Sequence, residues 1–235
     1  MSHTYFLTGT DTDVGKTLVS AALLQAAARE GYTTAGYKPV ASGSEWTTEG
    51  LRNRDALILQ RYSNLDLPYA SVNPLTFEQP TSPHIASQRE GQPISFPRLD
   101  EGLSALQAQA NWVLVEGAGG WFTPLSAQQH YGQWVSAQGL PVILVVGMKL
   151  GCINHALLTQ AAIQQAGLTL AGWVANSLSP EPHEYAAYCG YLTDQINAPL
   201  LGEIPYLSDA EQLDNLGHYL TLPSSMREYS TPPRR

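Results

Sequence analysis

Short apolar runs alternate with amphipathic runs along this chain. Runs rich in β-branched and aromatic residues, with the length of buried strands, lie at 5–8, 34–40, 112–115, 142–146 and 170–175. Stretches with helical periodicity lie at 16–30, 54–62, 99–110, 153–166 and 183–196. This alternation predicts an α/β fold in which a mainly parallel β-sheet is flanked by helices.

The domain organisation follows from the same pattern. No linker-like segment divides the 235 residues, and a chain of this length can bury one substantial core. We predict a single domain over residues 1–223, followed by a flexible tail over 224–235. The stretch 64–97 is rich in Pro, Ser and Gln, and we interpret it as an excursion with short elements of its own.

Composition narrows the class of partner. A net charge of −8 without any Lys/Arg run argues against nucleic acid and against an anionic membrane surface. The apolar run 140–147 is far shorter than the roughly 20 residues that a membrane span needs. The first residues lack a signal-peptide pattern, and Cys152 and Cys189 are too few for a disulfide framework. We expect a cytoplasmic protein whose partners are small molecules or proteins.

The segment 9–17, GTDTDVGKT, lies between the first predicted strand and the first predicted helix. This context is typical of a phosphate-binding loop, although the segment carries one extra residue between its glycines, and it predicts a P-loop NTPase-like fold. Backbone N–H groups and the positive end of the helix would face the phosphates. Lys16 can bridge β- and γ-phosphate oxygens, and the Thr17 hydroxyl can ligate Mg²⁺. The alternative is a glycine-rich turn with an exposed lysine.

In parallel sheets, ligands bind beyond the carboxyl ends of the strands. The residues just after the predicted strands are Gly9, Lys38, Glu116, Lys149 and Asn176. A carboxylate at the end of a buried strand is costly unless a cation compensates it, which makes Glu116 a candidate Mg²⁺ ligand. Asp55 is a second candidate, or an acid that interacts with the dipole at a helix start.

Lysine is scarce in this chain, and its few positions are informative. The three lysines are Lys16, Lys38 and Lys149, and all of them lie beside Gly or Pro or near the end of a strand-like run. Lys38 would bring a second cation to the phosphate loop, where it could offset repulsion between two anionic reactants. The alternative is a lysine that buries only its stem at a sheet edge. Thr12 and Ser42 are candidate hydroxyls for orienting a substrate.

Four segments together resemble ATP-dependent dethiobiotin synthetases over nearly the whole chain. They are TGTDTDVGKT at 8–17, GYKPVASG at 36–43, EGAGG at 116–120 and GCINH at 151–155. The resemblance implies that ATP and Mg²⁺ drive closure of the ureido ring of dethiobiotin from 7,8-diaminopelargonic acid and CO₂. The reaction would pass through a carbamate and a carbamic-phosphoric anhydride, releasing ADP and phosphate. It also implies a homodimer.

The family's residue roles can be carried over position by position. The catalytic residues would be Lys38, Lys16 and Thr12, and the Mg²⁺ ligands would be Thr17, Asp55 and Glu116. The ATP-binding set would be Asp13, Val14, Gly15, Lys16, Thr17, Leu18, Asp55, Glu116, Gly117, Ala118, Gly119, Asn176, Ser177, Pro205, Tyr206, Leu207 and Glu211. The substrate set would be Thr12, Lys38, Ser42, Gly119, Cys152, Asn154 and Tyr188.

The resemblance implies more specific roles for some of the ATP-binding and substrate residues. Asn176, with the segment 205–207, would recognise adenine. The helix start around Cys152 and Asn154, with Tyr188, would bind the distal carboxylate of the substrate across the subunit interface. A helix N-terminus offers free N–H donors and positive potential to such an anion. Considered alone, Cys152 has the character of a small buried apolar residue rather than of a nucleophile.

Some positions depart from the family pattern, and two alternatives stay open. Asp13 stands where Glu or Gly is frequent, and Ser177 where Asp is common. A partitioning or metal-inserting ATPase would share the loop, but the partitioning kind typically has an early second lysine where this chain has Thr10 and Asp11. The six histidines show no shared ligand-like spacing for a metal inserter. The other alternative is a related ATP-dependent ligase that acts on a different acid. Only the segments 37–43 and 151–155 argue against it.

Overall fold

The computed structural model describes residues 2–180, 184–207 and 213–223. Its strands are β1 (His3–Gly9), β2 (Thr34–Tyr37), β3 (Val40–Ala41), β4 (Glu45–Thr47), β5 (Gly50–Arg52), β6 (Leu75–Thr76), β7 (Trp112–Gly120), β8 (Val142–Met148), β9 (Leu170–Ser177) and β10 (Leu200–Ile204). Its helices are α1 (Lys16–Arg29), α2 (Arg54–Tyr62), α3 (Tyr69–Val72), α4 (Pro83–Glu90), α5 (Phe96–Gln107), α6 (Tyr131–Gln138), α7 (Cys152–Gln165) and α8 (Tyr185–Gln195), with a 3₁₀ turn at Leu216–Tyr219.

A parallel sheet with the strand order β10-β9-β8-β1-β7-β2 forms the centre of the molecule. Every residue of β8, VILVVGM, is buried, which is the near-continuous apolar pattern of a strand covered on both faces. β1 lies between β7 and β8, so the segment that follows it emerges at the middle of the carboxyl edge. The predicted α/β fold with a mainly parallel sheet is confirmed.

The helices pack against this sheet and present two N-termini to its carboxyl edge. α1 packs against β1, β2 and β7, while α7 packs against β8 and β9. Both helices begin after a glycine in the left-handed region, Gly15 with φ 90° and Gly151 with φ 93°. A side chain at either position would strain the backbone. The two glycines therefore let the chain turn sharply from the sheet edge into a helix.

The predicted strand 34–40 is shorter in the structure, which is a correction. β2 ends at Tyr37, and β3 leaves the central sheet to pair with β6. Pro39 explains the break, because it has no N–H to donate to a strand ladder. Lys38 lies at this break, and its backbone N–H donates to the Val72 carbonyl at 2.8 Å.

The predicted strand 112–115 is longer in the structure, which corrects the placement of Glu116. β7 continues through the glycine-rich segment to Gly120, so Glu116 lies inside the strand rather than at its end. Leu7 pairs with Glu116, and the register shifts before Gly9 pairs with Gly120. This irregularity opens β1 and β7 at the point where the phosphate loop starts.

Some elements were not expected from the sequence pattern, among them β10 and α6, whereas short elements were expected in the stretch 64–97. β10 adds a further parallel strand beside β9, and α6 lies between β7 and β8 along the chain. The stretch 64–97 contains α3, β6 and α4, and α5 begins at Phe96 rather than at 99. Residues 183 and 224–235 lie outside the described residues. Within the described ranges, no helix combines the length and apolarity that crossing a membrane requires.

Candidate active site

The phosphate loop connects β1 to α1 by a backbone that only particular residues allow. Asp13 adopts φ 58° and Gly15 φ 90°, so the chain passes twice through the left-handed region. A Cβ on Gly15 would also collide with the Asn176 side chain. No side chain among the described residues caps the start of α1. The N–H groups of its first turn are therefore available to an anion.

Lys16 lies at the start of α1 with its ammonium group held inside the loop. Its Nζ donates to the Asp11 carbonyl at 3.0 Å, and the residue is buried. Burial lowers the pKa of Lys16 to about 8, and the nearby Lys38 ammonium acts in the same direction. A phosphate group would relieve both effects, so this lysine is poised to bind an anion.

Lys38 forms a buried cluster with two acids. Its Nζ lies 2.6 Å from Glu116 Oε1 and 3.0 Å from Asp55 Oδ2, and it also donates to the Gly117 carbonyl at 3.3 Å. Lys38 is only 3% exposed and Glu116 is 0% exposed. Burial alone would lower the pKa of Lys38, but Glu116 and Asp55 outweigh it and raise that pKa above its ordinary value. Lys38 is therefore held as a cation.

Asp55 and Thr17 are further polar side chains of this cluster, in contact with Lys38 and Glu116 respectively. Burial opposes ionisation of Asp55, yet the Lys38 ammonium, which also donates a hydrogen bond to it, holds the pKa of Asp55 below its ordinary value. Thr17 Oγ1 donates to Glu116 Oε1 at 2.9 Å. The structure thus brings together the three predicted Mg²⁺ ligands around Lys38.

The donor set fits Mg²⁺. Mg²⁺ prefers oxygen ligands and is held by one or two carboxylates plus phosphate oxygens and waters. Thr17, Asp55 and Glu116 offer only oxygen donors. In the part of the chain that the structure describes, no group of three or more His, Cys, Asp or Glu side chains could hold a metal alone.

A cavity of about 890 Å³ opens over the two lysines. The predicted site residues that line it are Thr12, Asp13, Gly15, Lys16, Thr17, Lys38, Ser42, Asp55, Ala118 and Gly119. Other lining residues were missed by the sequence reasoning; they include Asn53, Pro80, Thr81, Ser82, Pro83 and Thr123. Asn53 had a sequence signal, because Asn is a preferred N-cap and its side chain accepts from the Asp55 N–H at 3.1 Å. The residues 80–83 had none.

A smaller cavity of about 300 Å³ shares Thr17 and Asp55 with the first. The predicted nucleotide residues Leu18, Ser177, Tyr206 and Leu207 line it. Arg54, Ile58, Leu178 and Leu213 line it as well. The walls are mainly apolar side chains, as suits a flat base next to a phosphate site.

Three further residues that the sequence predicts to bind the nucleotide line neither cavity or lie outside the described ranges. Asn176 is buried at the end of β9, and its Nδ2 donates to the Val14 carbonyl at 2.9 Å. Its Oδ1 has no hydrogen-bond partner among the described residues. Pro205 follows β10 and is exposed, whereas Glu211 lies outside the described residues. The loop and the Asn176 side chain therefore support each other.

Cys152, Asn154 and Tyr188 are not part of either cavity. Cys152 is buried in the first turn of α7, while Asn154 is exposed on the same turn. Tyr188 lies on α8, which packs against α7. Lys149, just before α7, pairs with Asp11 across 3.5 Å at the surface. One chain therefore does not bring the predicted carboxylate site to the two lysines.

Comparison with known proteins decides between the families that share such a loop. A family model described as an AAA domain matches residues 3–213. ATP-dependent dethiobiotin synthetase BioD 1 of Escherichia coli (strain K12) is 63% identical over 222 residues, which cover 94% of this chain and 99% of the relative. The chain belongs to the ATP-dependent dethiobiotin synthetase family.

Further comparisons agree with this membership. Dethiobiotin synthetase BioD 1 of Yersinia pestis is 60% identical over 227 residues, covering 94% of this chain and 95% of the relative. The MinD cell division protein of Aquifex aeolicus has a TM-score of 0.56 and 16% identity, covering 92% of this chain and 87% of that one. The MinD likeness concerns the fold alone, and it confirms the P-loop NTPase-like fold that this dethiobiotin synthetase family member was predicted to have.

Proposed function

We propose that this protein forms dethiobiotin from 7,8-diaminopelargonic acid, CO₂ and ATP, with the site residues acting as described below. The observation that carries the proposal is the pair of buried ammonium groups, Lys16 and Lys38, at one phosphate loop and one cavity. Two negative reactants, a carbamate and the terminal phosphate of ATP, need such charge between them. The names of the relatives support ATP as co-substrate and dethiobiotin as product.

The nucleotide phosphates would bind at the start of α1. The N–H groups of 13–18 and the Lys16 ammonium would contact the phosphates, as the free N–H groups and the depressed pKa of Lys16 support. The base would enter the smaller cavity between Leu18, Ser177 and 205–207, next to Asn176. The unpartnered Asn176 Oδ1 would then be an acceptor for the exocyclic amine of adenine.

Thr17, Asp55 and Glu116 would hold Mg²⁺ together with phosphate oxygens. The ion, when bound, supplies positive charge to the β- and γ-phosphate oxygens. Lys38 now bridges the two carboxylates at 3.0 and 2.6 Å, so the acids already lie within reach of one cation. The chain would thus provide a partial ligand set that the nucleotide completes.

The chemistry would proceed in three steps at the larger cavity. One amine of the substrate adds to CO₂ and loses a proton to give a carbamate. A carbamate oxygen attacks the γ-phosphorus, and ADP leaves. The second amine attacks the carbamate carbon, a C–N bond forms, and phosphate leaves with the oxygen that had joined it to carbon. Lys38 and Lys16 would stabilise the anionic oxygens throughout.

Hydroxyl and backbone groups around the lysines would orient the substrate. Thr12 and Ser42 line the cavity on either side of the lysine loops. Asn53 Nδ2 donates to the Ser42 carbonyl at 3.3 Å and so fixes this loop relative to α2. The backbone of 117–119, which carries no side chain larger than that of Ala118, would let the carbamate approach closely.

We also propose a cytoplasmic homodimer in which the partner's α7 completes the substrate site. The start of α7 offers N–H groups to the distal carboxylate, and Asn154 and Tyr188 would assist. Apolar side chains are exposed on and near this helix, Leu150 at 87% and Leu158 at 62%. Burial of such a patch in an interface between two copies is favourable.

Phosphate release and product mass test the proposed function together. Purified protein with ATP, Mg²⁺ and bicarbonate is assayed with and without 7,8-diaminopelargonic acid. Phosphate release that depends on the diamine, with a product of the mass of dethiobiotin, is the expected result. ATP hydrolysis that ignores the diamine, with no such product, would contradict the proposal and favour a nucleotide-dependent switch.

A further inference from the structure

Ser20 is a buried hydroxyl in the middle of α1, one turn beyond the phosphate loop. It is 0% exposed and lies among Val19, Ala21 and Ala22, which are buried too. A serine inside a helix commonly donates to the carbonyl four residues earlier or faces water, and alanine would favour the helix more. The Ser20 hydroxyl instead donates to Glu116 Oε2 at 2.6 Å, across to β7. This contact needs a reason beyond helix formation.

The two oxygens of Glu116 have different partners. Oε1 accepts from Thr17 Oγ1 at 2.9 Å and from Lys38 Nζ at 2.6 Å. Oε2 accepts from Ser20 at 2.6 Å, and Ser20 is its sole hydrogen-bond donor among the described residues. Rotation about the last bond of a glutamate side chain meets only a weak intrinsic preference. The Ser20 hydroxyl therefore fixes the rotation of the carboxylate plane at which one oxygen faces Lys38 and Thr17.

We propose that Ser20 is a positioning residue for the reaction and acts through Glu116. It holds the Glu116 carboxylate at the rotation angle that aligns one oxygen with Lys38 and Thr17, the groups that would contact the carbamate and the metal. Ser20 lines neither cavity, so it would touch neither nucleotide nor substrate. This inference rests on the proposed function, because it assigns importance to the orientation of Glu116.

Loss of the hydroxyl has a defined structural consequence. In Ser20→Ala the buried Oε2 loses its donor, and a carboxylate oxygen without a hydrogen bond in the interior is costly even though Oε1 keeps its partners. Rotation of the carboxylate toward Lys38 or Thr17 would relieve that cost and disturb both contacts. Removal of the group that orients a metal ligand typically weakens metal affinity or activity by about 10- to 100-fold.

Binding of ADP with and without Mg²⁺ to the full-length protein tests the proposal without relying on turnover. Calorimetry of Ser20→Ala should give a metal-free ADP affinity within about twofold of the parent, and a gain in affinity on adding Mg²⁺ that is about tenfold smaller. The kcat for diamine-dependent product should fall by a similar factor with little change in the KM for the diamine. Ser20→Thr, which keeps the hydroxyl, should restore most of both.

Ser87→Ala is the matched control. Ser87 is also buried in a helix, its hydroxyl donates to the Gln92 carbonyl at 2.7 Å, and it lines neither cavity. This variant should lose stability and keep the full effect of Mg²⁺. If Ser20→Ala does not fold, Ser20→Cys, which replaces the hydroxyl by a weaker donor, is measured in the same way.

The outcomes separate this proposal from the proposed function. If the variant that folds, Ser20→Ala or Ser20→Cys, shows the same Mg²⁺ effect and kcat as Ser87→Ala, the positioning role is overturned. A parent protein that makes no dethiobiotin would overturn the proposed function, and the ADP measurement would still test Ser20. A reduced Mg²⁺ effect in Ser20→Ala that Ser20→Thr restores supports the role.

Discussion

The region around the phosphate loop and the region around the start of α7 both present a helix N-terminus to the carboxyl edge of the sheet. At α1, two lysines, two acids and several hydroxyls converge on one cavity, and each buried charge has a partner. At α7, Cys152 and Asn154 line neither of the two cavities described above, and Leu150 beside them is exposed. In both places a glycine in the left-handed region leads into a helix, but only the first turn opens into a cavity lined by two lysines. We call the first the complete region and the second the partial region, because in the proposed homodimer the second would serve a site in another copy of the chain.

The largest expected effect comes from Lys38→Gln, which removes the ammonium group between Asp55 and Glu116 at the centre of the complete region. Loss of the ammonium that faces the transferring group should lower kcat by about 10²–10³-fold. It also leaves Glu116 and Asp55 without their shared cation, which should lower the free energy of unfolding by about 3–5 kcal/mol. Steady-state kinetics and chemical denaturation measure the two effects.

Lys149→Gln is the matched control for that variant. Lys149 pairs with Asp11 at 3.5 Å at the surface, where an ion pair contributes about 0–1 kcal/mol. Its turnover and stability should stay close to those of the parent. Turnover of Lys38→Gln close to that of Lys149→Gln would remove Lys38 from the reaction centre.

Lys16→Gln should have the next largest effect, on both binding and chemistry. Loss of charged hydrogen bonds to phosphate is expected to weaken ATP affinity by about 1.5–3 kcal/mol, or roughly 10- to 100-fold. Because the pKa of Lys16 is lowered to about 8, its ammonium loses its proton above that pH and binds anions less well. Metal-free ADP affinity should therefore fall as the pH rises through about 8 in the parent protein.

The pH dependence gives this prediction its own control. In Lys16→Gln the fall in ADP affinity through pH 8 should disappear, because no group with the pKa of Lys16 remains at the loop. Calorimetric titrations at several pH values measure it. An equal fall in both proteins would assign the titration to another group.

The smallest expected effect concerns the partial region. Asn154→Asp places a negative charge at the start of α7, where a substrate carboxylate is proposed to bind. Repulsion between the new aspartate and the substrate carboxylate, which would compete for the same helix N-terminus, should raise the KM for the diamine by a few-fold to about tenfold. The affinity for ADP should stay unchanged. Asn154→Ala should have less effect, since it adds no charge. Kinetics below the KM of the parent measure the change.

A mixture of two defective proteins sharpens the comparison between the regions. Lys38→Gln and Asn154→Asp are unfolded together and refolded, so that roughly half of the dimers contain one subunit of each kind. If α7 completes the partner's site, one site in each mixed dimer has intact Lys38 and intact Asn154. Activity should then exceed the sum of the separate proteins. Purely additive activity would mean that both regions serve the same chain's site.

Local sequence signals were enough to predict the phosphate loop and the lysines, because glycines and strand ends fix where their backbones lie. Lys38 was correctly placed after β2, although Pro39 should have ended the predicted strand earlier. The Glu116-Gly-Ala-Gly-Gly segment has the composition of a loop, and only its pairing with β1 keeps it in the sheet. Parallel pairing of this kind depends on residues distant in sequence.

The site residues that the sequence did not predict depend on contacts between segments distant in the chain. Ser20 is an unremarkable helical position until β7 brings Glu116 to it from 96 residues away. The lining of the cavity by 80–83 follows from the pairing of β6 with β3, which are both only two residues long. Such short pairs leave little periodicity in the sequence. The role of Glu211 stays a prediction, outside the described residues.

The transfer of oxygen from CO₂ to phosphate tests most directly whether ATP activates a carbamate at the two lysines. A single turnover is run with ¹⁸O-labelled CO₂ in unlabelled water, before the label exchanges, and the products are analysed by mass. The account predicts that the released phosphate carries an ¹⁸O atom from the carbamate, while the ureido carbonyl keeps the other. Unlabelled phosphate formed alongside the ring would contradict it, because a nucleophile other than the carbamate would then have attacked ATP.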